Sequence, residues 1–455
     1  MFRKSAHNLG SYFVSLRQKM YTTKSQLGQF SNPVFNIEKQ SSMIDQPIQI
    51  TICNLLSFQK VTLVARIIEG KAEFTSHAFF FTDIEGKVDV NTTPSQGGTY
   101  TGVDGMGIIW SMEPAKNTRK GSRLSKQQAS EPYTVQLGLV DGFQSINSWE
   151  NLTLLCKETV DLWYMSPETD KIPIRHGRLR GTLFLPKNKS KCLGIIEMFG
   201  SAGGLIELRA ALLASHGFAC LALAYFAYDD LPKGFEFDLD YFDEAVEFMV
   251  QHEHVDSSLG LGLVGVSKGA DIALHMASYN PAISHCVSIN GSPHYNFGQH
   301  TYRGRQVRCH MHDTERLIHT DEGIICRESA KNTNNDADVI PVDQAKQARF
   351  LLLQSCDDGA VPESFVWDIA TRILESGNKK CEVVTYPGAG HLLEPPYTPL
   401  CRFVYHKLLG VYLVYGGERR LHAQAQEDHW KRIVRFFKIA ENEKTDAKKC
   451  ITSKL

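Results

Sequence analysis

The spacing of apolar and polar residues divides this chain into two parts with different patterns. Between residues 46 and 178, short β-branched and aromatic runs are separated by turn dipeptides such as Glu85-Gly86 and Asp141-Gly142. The runs that we predict as strands are Ile48–Leu55, Val61–Ile68, Ser76–Phe81 and Tyr133–Val140. Short strands at this spacing are typical of an all-β sandwich, so we expect an N-terminal β-sandwich domain over residues 46–178.

From residue 179 onward, apolar runs of strand length alternate with segments of helical periodicity. Helices are predicted over Leu205–Ser215 and Phe237–His252. The predicted strands of this part are Leu193–Phe199, Ala219–Phe226, Leu259–Val266, Ile283–Ile289, Phe350–Gln354 and Glu382–Tyr386. Alternation of this kind predicts a mostly parallel sheet with helices on both faces, and we expect this second domain to span residues 179–440.

A polar stretch from about Ser292 to Asp343 interrupts the alternation. Enzymes of this architecture commonly carry a cap over the substrate pocket in such an insertion between late strands. A plain surface loop fits the sequence equally well, so both interpretations stay open. A basic stretch in the first domain, Arg119–Arg123, is interpreted as a solvated loop.

The pentapeptide Gly265-Val266-Ser267-Lys268-Gly269 lies between a predicted strand and a helical pattern that ends before Pro281. A G-x-S-x-G sequence in this context is typical of a nucleophile elbow, where a tight turn exposes the serine hydroxyl above the sheet. Taken alone, the pentapeptide also fits a glycine-rich turn. Its place between strand and helix favours Ser267 as a nucleophile.

A serine nucleophile needs a base, and the base needs an orienting acid. Asp357 and Asp358 follow the predicted strand Phe350–Gln354, and His391 follows the last predicted strand within Pro387–His391. Serine, then carboxylate, then histidine is the chain order of α/β-hydrolases. We prefer Asp358 as the acid, although Asp357 is compatible and one of the two carboxylates would serve to cap the helix expected near Pro362.

A tetrahedral oxyanion needs two preorganised backbone N–H groups. The first donor expected is the N–H of Lys268, directly after the nucleophile and at a helix N-terminus. The second is expected from the turn after the strand Leu193–Phe199. The residues of that turn are Met198, Phe199, Gly200, Ser201, Ala202 and Gly203. The side chains of Lys268 and Lys233 are either solvated or contacts for a phosphate group.

The composition argues against several classes of protein. The 455 residues are 42% hydrophobic and 22% charged, with a formal net charge of −1, which argues against a nucleic-acid-binding protein. No apolar run reaches membrane-spanning length. The eleven cysteines are scattered without a C-x-x-C pair, so we expect reduced intracellular thiols and no zinc site. Without H-E-x-x-H or Walker A sequences, chemistry without a metal or nucleotide is the expectation.

The two ends carry different targeting signals. The polar tail of residues 441–455 ends in Ser453-Lys454-Leu455, an address that the peroxisomal import receptor reads. At the other end, residues 1–45 form a basic extension whose first 37 residues hold no acidic side chain, which is typical of a mitochondrial transit peptide. A basic leader without that role, or a second start at Met20, is also compatible. We favour the peroxisome, with the mitochondrion as an additional destination.

Motifs along most of the chain resemble one enzyme family. They are Gly97–Gly102, Met106–Trp110, Met198–Gly200, Ala222–Tyr225, Asp230–Lys233, Gly265–Gly269, Tyr386–His391, Glu394–Tyr397, Gly416–Glu418, His422–Gln426 and Trp430. On these residues the chain resembles the acyl-CoA thioesterases and bile acid-CoA:amino acid N-acyltransferases from about residue 46 to 440. The resemblance implies a β-sandwich followed by an α/β-hydrolase domain. It also implies a triad of Ser267, Asp358 and His391.

The nucleophile separates two activities within that family. The N-acyltransferases that the chain resembles generally carry Cys at the position of Ser267, and a serine ester is less reactive toward amines than a cysteine thioester. The resemblance therefore implies hydrolysis of fatty acyl-CoA to fatty acid and CoA, with CoA a product and no cofactor. Conjugation of acyl groups to glycine or taurine is the alternative. A binding protein without activity is disfavoured because all three triad residue types are present.

Overall fold

The structure is a computed structural model that describes residues 32–146, 148–296, 298–331 and 338–452. Most of the basic extension and the tripeptide Ser453-Lys454-Leu455 lie outside these residues. The targeting predictions made for the two ends therefore stay predictions from sequence.

The first domain consists of two sheets that enclose an apolar core, which confirms the predicted β-sandwich, and their strand pairs are antiparallel except for the parallel pair of β2 with β9. A three-stranded sheet is formed by β1 (Val34–Ile37), β3 (Ile50–Cys53) and β6 (Val88–Asp89). A six-stranded sheet is formed by β2 (Ser41–Met43), β4 (Lys60–Glu69), β5 (Ala72–Phe81), β7 (Glu113–Pro114), β8 (Tyr133–Asp141) and β9 (Leu154–Trp163). A short helix, α1 (Gly107–Trp110), is buried against the core. Strand β9 was not among the predicted strands.

The second domain is built on an eight-stranded sheet in the order β10-β11-β13-β12-β15-β16-β21-β22. Its strands are β10 (Thr169–His176), β11 (Leu179–Pro186), β12 (Gly194–Met198), β13 (Ala219–Ala224), β15 (Leu261–Val266), β16 (Ile283–Ile289), β21 (Arg349–Ser355) and β22 (Cys381–Tyr386). The pairs from β13 to β22 are parallel, and β10 and β11 join the edge in antiparallel orientation. The predicted α/β class with a mostly parallel sheet is confirmed.

The large sheet begins before the domain boundary that we placed at residues 178 and 179. Strand β10 pairs with β11 along its whole length, from Thr169 with Pro186 to His176 with Leu179. The two strands form a hairpin that turns at Gly177, which has a φ of 53°. A β-rich run does not by itself reveal which sheet it joins, so the pattern did not show that this strand pairs within the large sheet.

The alternation of side chains along each strand separates two apolar layers. Ile195, Val264 and Leu351 face one side, together with helices α2 (Leu208–Ser215) and α6 (Arg419–Thr452). The other side packs against helices α3 (Asp240–Gln251), α4 (Lys268–Tyr279) and α5 (Ser364–Glu375). The core of the β-sandwich is continuous with the layer that holds α2 and α6. The first domain therefore packs on one face of the second.

The stretch 292–343 forms part of two small sheets above the carboxyl ends of the parallel strands. Strand β17 (Gln299–Tyr302) pairs with β14 (Glu236–Asp238) on one side and with β18 (Arg305–Val307) on the other. Strands β19 (Ile318–His319) and β20 (Ile324–Ile325) join a hairpin of β23 (Phe403–His406) and β24 (Val411–Val414). Within the described ranges, no helix is both long and apolar enough to cross a membrane.

Candidate active site

Ser267 lies in a sharp turn between β15 and α4, as the elbow motif predicts. Its φ is 54° and its ψ is −123°, a backbone conformation that costs a non-glycine residue free energy. A Cβ atom added at Gly265 would lie 2.2 Å from the carbonyl oxygen of Gly269, so the turn closes only around glycine. The buried strand and the following helix hold the serine in this conformation.

His391 and Asp358 form a buried hydrogen-bonded pair. The Nδ1 atom of His391 lies 2.7 Å from Oδ2 of Asp358, and the two residues are 3% and 1% exposed. A carboxylate that accepts the Nδ1 proton leaves the Nε2 lone pair of a neutral imidazole available as a base. His391 also lines the same cavity as Ser267. The pair of His391 and Asp358 and the serine are therefore brought to one cavity at the edge of the sheet.

The geometry distinguishes the two neighbouring aspartates. Besides the proton of His391, the carboxylate of Asp358 accepts hydrogen bonds from the backbone N–H groups of Ala360 at 2.6 Å and Val361 at 2.9 Å. Asp357 instead accepts the N–H of Gly417 at 2.9 Å. Helix α5 begins only at Ser364 and has no side-chain cap. Asp358 is thus the carboxylate that holds the histidine, and Asp357 fixes a separate turn.

Asn290 is a positioning residue that the sequence analysis missed. Its Nδ2 donates to the backbone carbonyl of His391 at 2.6 Å, and its Oδ1 accepts the N–H of Ser355 at 2.7 Å. It directly follows β16 with a φ of 51°. The backbone N–H of His391 donates to the carbonyl of Tyr415 at 2.9 Å. The available signal was an Asn-Gly pair directly after a parallel strand, where a left-handed residue is expected.

The turn after β12 packs directly against the elbow. A Cβ added at Gly200 would lie 3.0 Å from the Cβ of Ser267, and one added at Gly269 would lie 2.3 Å from the carbonyl oxygen of Met198. The hydroxyl of Tyr225 donates to the carbonyl of Phe199 at 2.5 Å, and this hydrogen bond stabilises the turn. The turn expected to supply the second oxyanion donor is therefore in contact with the serine.

The side chain of Lys268 is buried, so neither interpretation of this lysine as a solvated or phosphate-binding group is correct. Its ammonium donates to the carbonyl of Asn296, and to Nε2 of His300 at 2.9 Å. Burial lowers the pKa of Lys268 and raises that of Asp271, one turn along α4. Asp271 accepts the N–H of Ser292 at 2.8 Å and ties the insertion to the helix. Lys233 is exposed.

A mainly apolar cavity of about 360 Å³ opens onto Ser267 and His391. One wall comes from the insertion, which the structure identifies as a cover of the cavity and not as a plain surface loop. The insertion residues that line it are Ser292, Asn296, His312, Thr314, Leu317, Ile324, Cys326, Ser329 and Ala330. The β23–β24 hairpin adds Leu409, Val411 and Leu413. The cavity is suited to an elongated apolar group that ends at the serine.

The basic stretch Arg119–Arg123 is not wholly a solvated loop. The guanidinium of Arg123 forms an ion pair with Glu394 at 3.1 Å, and these side chains are only 14% and 8% exposed. It also lies 4.8 Å from the ring centroid of Phe199, within the turn beside the elbow. The first domain therefore supports the turn beside the elbow, a contact that the charge pattern of a short stretch does not reveal.

Comparison with known proteins places two family models on the chain. "Acyl-CoA thioester hydrolase/BAAT N-terminal region" matches residues 45–176. "BAAT / Acyl-CoA thioester hydrolase C terminal" matches residues 237–442. The first model covers most of the β-sandwich together with β10, and the second covers the later part of the α/β domain.

Curated relatives align over most of their length. Human acyl-coenzyme A thioesterase 1 is 37% identical over 86% of this chain and 93% of its own. Mouse peroxisomal succinyl-coenzyme A thioesterase is 36% identical over the same shares. Mouse acyl-coenzyme A amino acid N-acyltransferase 1 is 36% identical over 88% and 95%. Among solved structures, a dienelactone hydrolase-like promiscuous phosphotriesterase covers 60% of this chain and 98% of its own, with 17% identity and a TM-score of 0.37.

Proposed function

We propose that this chain, which belongs to the acyl-CoA thioester hydrolase/BAAT family, hydrolyses fatty acyl-CoA to the free fatty acid and CoA. The observation that carries the proposal is the buried pair of His391 and Asp358, whose imidazole lines the same apolar cavity as Ser267. An apolar cavity suits the acyl chain, and the elbow serine suits attack on the thioester carbonyl.

In the proposed mechanism, Ser267 Oγ attacks the carbonyl carbon while His391 takes the hydroxyl proton. Asp358 holds the imidazole and stabilises the positive charge that develops on it. The N–H of Lys268 and a second N–H from the turn after β12 stabilise the oxyanion. Collapse breaks the carbon–sulfur bond and releases CoA as a thiolate, which takes the proton from His391 directly, or takes one from solvent while His391 returns its proton to solvent; either way the imidazole is neutral again. His391 then activates a water molecule that releases the fatty acid from the serine.

The decisive experiment measures free thiol released from acyl-CoAs of graded chain length. Wild-type protein should release thiol, and Ser267→Ala should lower kcat/KM by about 10⁴-fold or more because no covalent intermediate forms. Absence of thiol release from every acyl-CoA would contradict the hydrolase proposal. Equal rates in the wild type and Ser267→Ala would contradict the nucleophile.

Transfer of the acyl group to an amino acid is the second candidate, favoured by the relative named as an N-acyltransferase. Adding glycine or taurine to the assay and searching for the amide by mass spectrometry separates the two activities. With Ser267, we expect fatty acid as the product. Ser267→Cys keeps a nucleophile and forms a thioester intermediate that amines attack more readily, so any amide should increase in that variant. Amide as the main wild-type product would favour the transferase.

We also propose delivery to peroxisomes through Ser453-Lys454-Leu455, with mitochondrial delivery through the basic extension as an additional route. Curated relatives with both words in their names support these compartments in general. The test is cell fractionation of the full chain, a variant without the last three residues, and a variant without residues 1–37. Loss of the tripeptide should empty the peroxisomal fraction, and an unchanged distribution would contradict this route.

A further inference from the structure

Three residues far apart in the insertion meet in a buried cluster outside the candidate triad. His294 follows β16, His310 follows β18, and Asp338 lies at the far end of the insertion. Backbone pairing brings them together, because His294 pairs with Val339 and His310 pairs with Asn296. The cluster therefore joins the beginning, the middle and the end of the segment that covers the cavity.

The distances within the buried cluster, where the structure shows two hydrogen bonds, also fit a bound metal ion. Nδ1 of His294 lies 3.1 Å from Oδ1 of Asp338, and Nδ1 of His310 lies 3.3 Å from Oδ2. The three residues are 8%, 2% and 3% exposed. One ligand atom from each lies within 4.8 Å of the others. Adjacent ligands of a tetrahedral zinc ion, with bonds of about 2.0–2.1 Å, are about 3.3 Å apart.

The surroundings of the carboxylate add to this geometry. The Asp338 carboxylate is buried, and its ion-pair partners in the described part of the chain are these two imidazoles alone. Its negative charge is stabilised either by hydrogen bonds from the two imidazoles or by a metal ion held between the three side chains.

We propose that His294, His310 and Asp338 bind one zinc ion that fixes the insertion over the cavity. Two imidazoles and one carboxylate suit Zn²⁺, with a fourth position left for water. The ring of His294 packs 5.6 Å from that of Phe365, and both Phe365 and His312 line the cavity. The ion has a structural role, since it takes no part in the proposed thioester chemistry.

The first test measures zinc in the full chain after removal of any purification tag. Inductively coupled plasma mass spectrometry should find about one zinc per chain in the wild type, and only traces in His310→Ala and Asp338→Asn. His319→Ala is the matched control, because His319 is exposed on β19 of the same segment and should leave the zinc content unchanged. Equal zinc in Asp338→Asn and wild type would overturn the proposal.

The second test follows stability and coordination. A chelator should lower the Tm of the wild type by a few degrees, and zinc should restore it, while Asp338→Asn should respond to neither. Cobalt(II) in place of zinc should give the visible absorption of a tetrahedral complex in the wild type only. Circular dichroism checks that the variants are folded. A wild type that binds neither metal would show a hydrogen-bonded imidazole–carboxylate–imidazole group instead, and would overturn the proposal.

Discussion

The two walls of the cavity are built in different ways. The wall at the sheet edge carries Ser267, Asn290 and His391, whose positions are fixed by strand ends and by hydrogen bonds of 2.6–2.9 Å. The opposite wall, from the insertion and the β23–β24 hairpin, presents mainly apolar side chains such as Leu317 and Leu413. The first wall therefore holds the groups of the proposed chemistry in place, whereas the second contributes mainly apolar surface and none of those groups.

The largest effect is expected from the carboxylate behind the sheet-edge wall. Asp358→Asn should lower kcat/KM by about 10³–10⁴-fold, because the amide neither fixes the required histidine tautomer nor stabilises its charge. The matched control is Asp357→Asn, which should lose less than about tenfold since an amide oxygen can still accept the N–H of Gly417. Thiol-release kinetics on both variants measure the difference. Equal losses of kcat/KM in the two variants would show that the pairing of Asp358 with His391 is not the cause of the effect.

A smaller effect is expected where the elbow touches the turn after β12. Gly269→Ala places a methyl group 2.3 Å from the carbonyl of Met198, so the turn must shift and the oxyanion donors with it. We expect a loss of about 10²-fold or more in kcat at similar KM. Gly234→Ala is the control, because a Cβ there has no neighbour within 4 Å. Unchanged kcat in Gly269→Ala would show that the sheet-edge wall is less rigid than its contacts suggest.

The smallest effect on chemistry, and the clearest on specificity, is expected on the opposite wall. Leu317→Trp should shorten the preferred acyl chain, because each methylene that is no longer buried costs about 0.8 kcal/mol, or roughly fourfold in kcat/KM. Short acyl-CoAs should be hydrolysed as before. The neighbouring Ile318 is 43% exposed and does not line the cavity, so Ile318→Trp should keep the wild-type profile. A uniform loss at all chain lengths would contradict the division of tasks between the walls.

The difference between the sheet-edge wall and the opposite wall also explains how much of the site the sequence could predict. Ser267, Asp358 and His391 each follow a strand of a parallel sheet, and such strands end at one edge, so their chain order already predicted that they meet. The sandwich and the parallel sheet followed from periodicity for a similar reason. These predictions depend on the periodicity of apolar residues and on the general topology of parallel sheets, and both can be inferred from a single sequence.

The features that escaped prediction depend on contacts between distant segments. Asn290 supports His391 across 101 positions of the chain, and Arg123 reaches Glu394 across 271. The expectation of no zinc site rested on short ligand spacings and stays a prediction, which the site proposed at His294, His310 and Asp338 would contradict. The pairing of β10 with β11 in the large sheet also escaped prediction, because a β-rich run does not specify its partner strand.

Arg123 has a consequence for how this enzyme can be divided. Its ion pair with Glu394 is joined by a second link between the domains, in which the indole N–H of Trp430 on α6 donates to Asp45 at 2.8 Å. Expressed alone, the second domain would carry Glu394 without its buried partner and would expose the apolar layer around α6 to water. The β-sandwich is thus no detachable module. Engineering that exchanges the β-sandwich between relatives must therefore preserve two pairs across the domain boundary, Arg123 with Glu394 and Asp45 with Trp430.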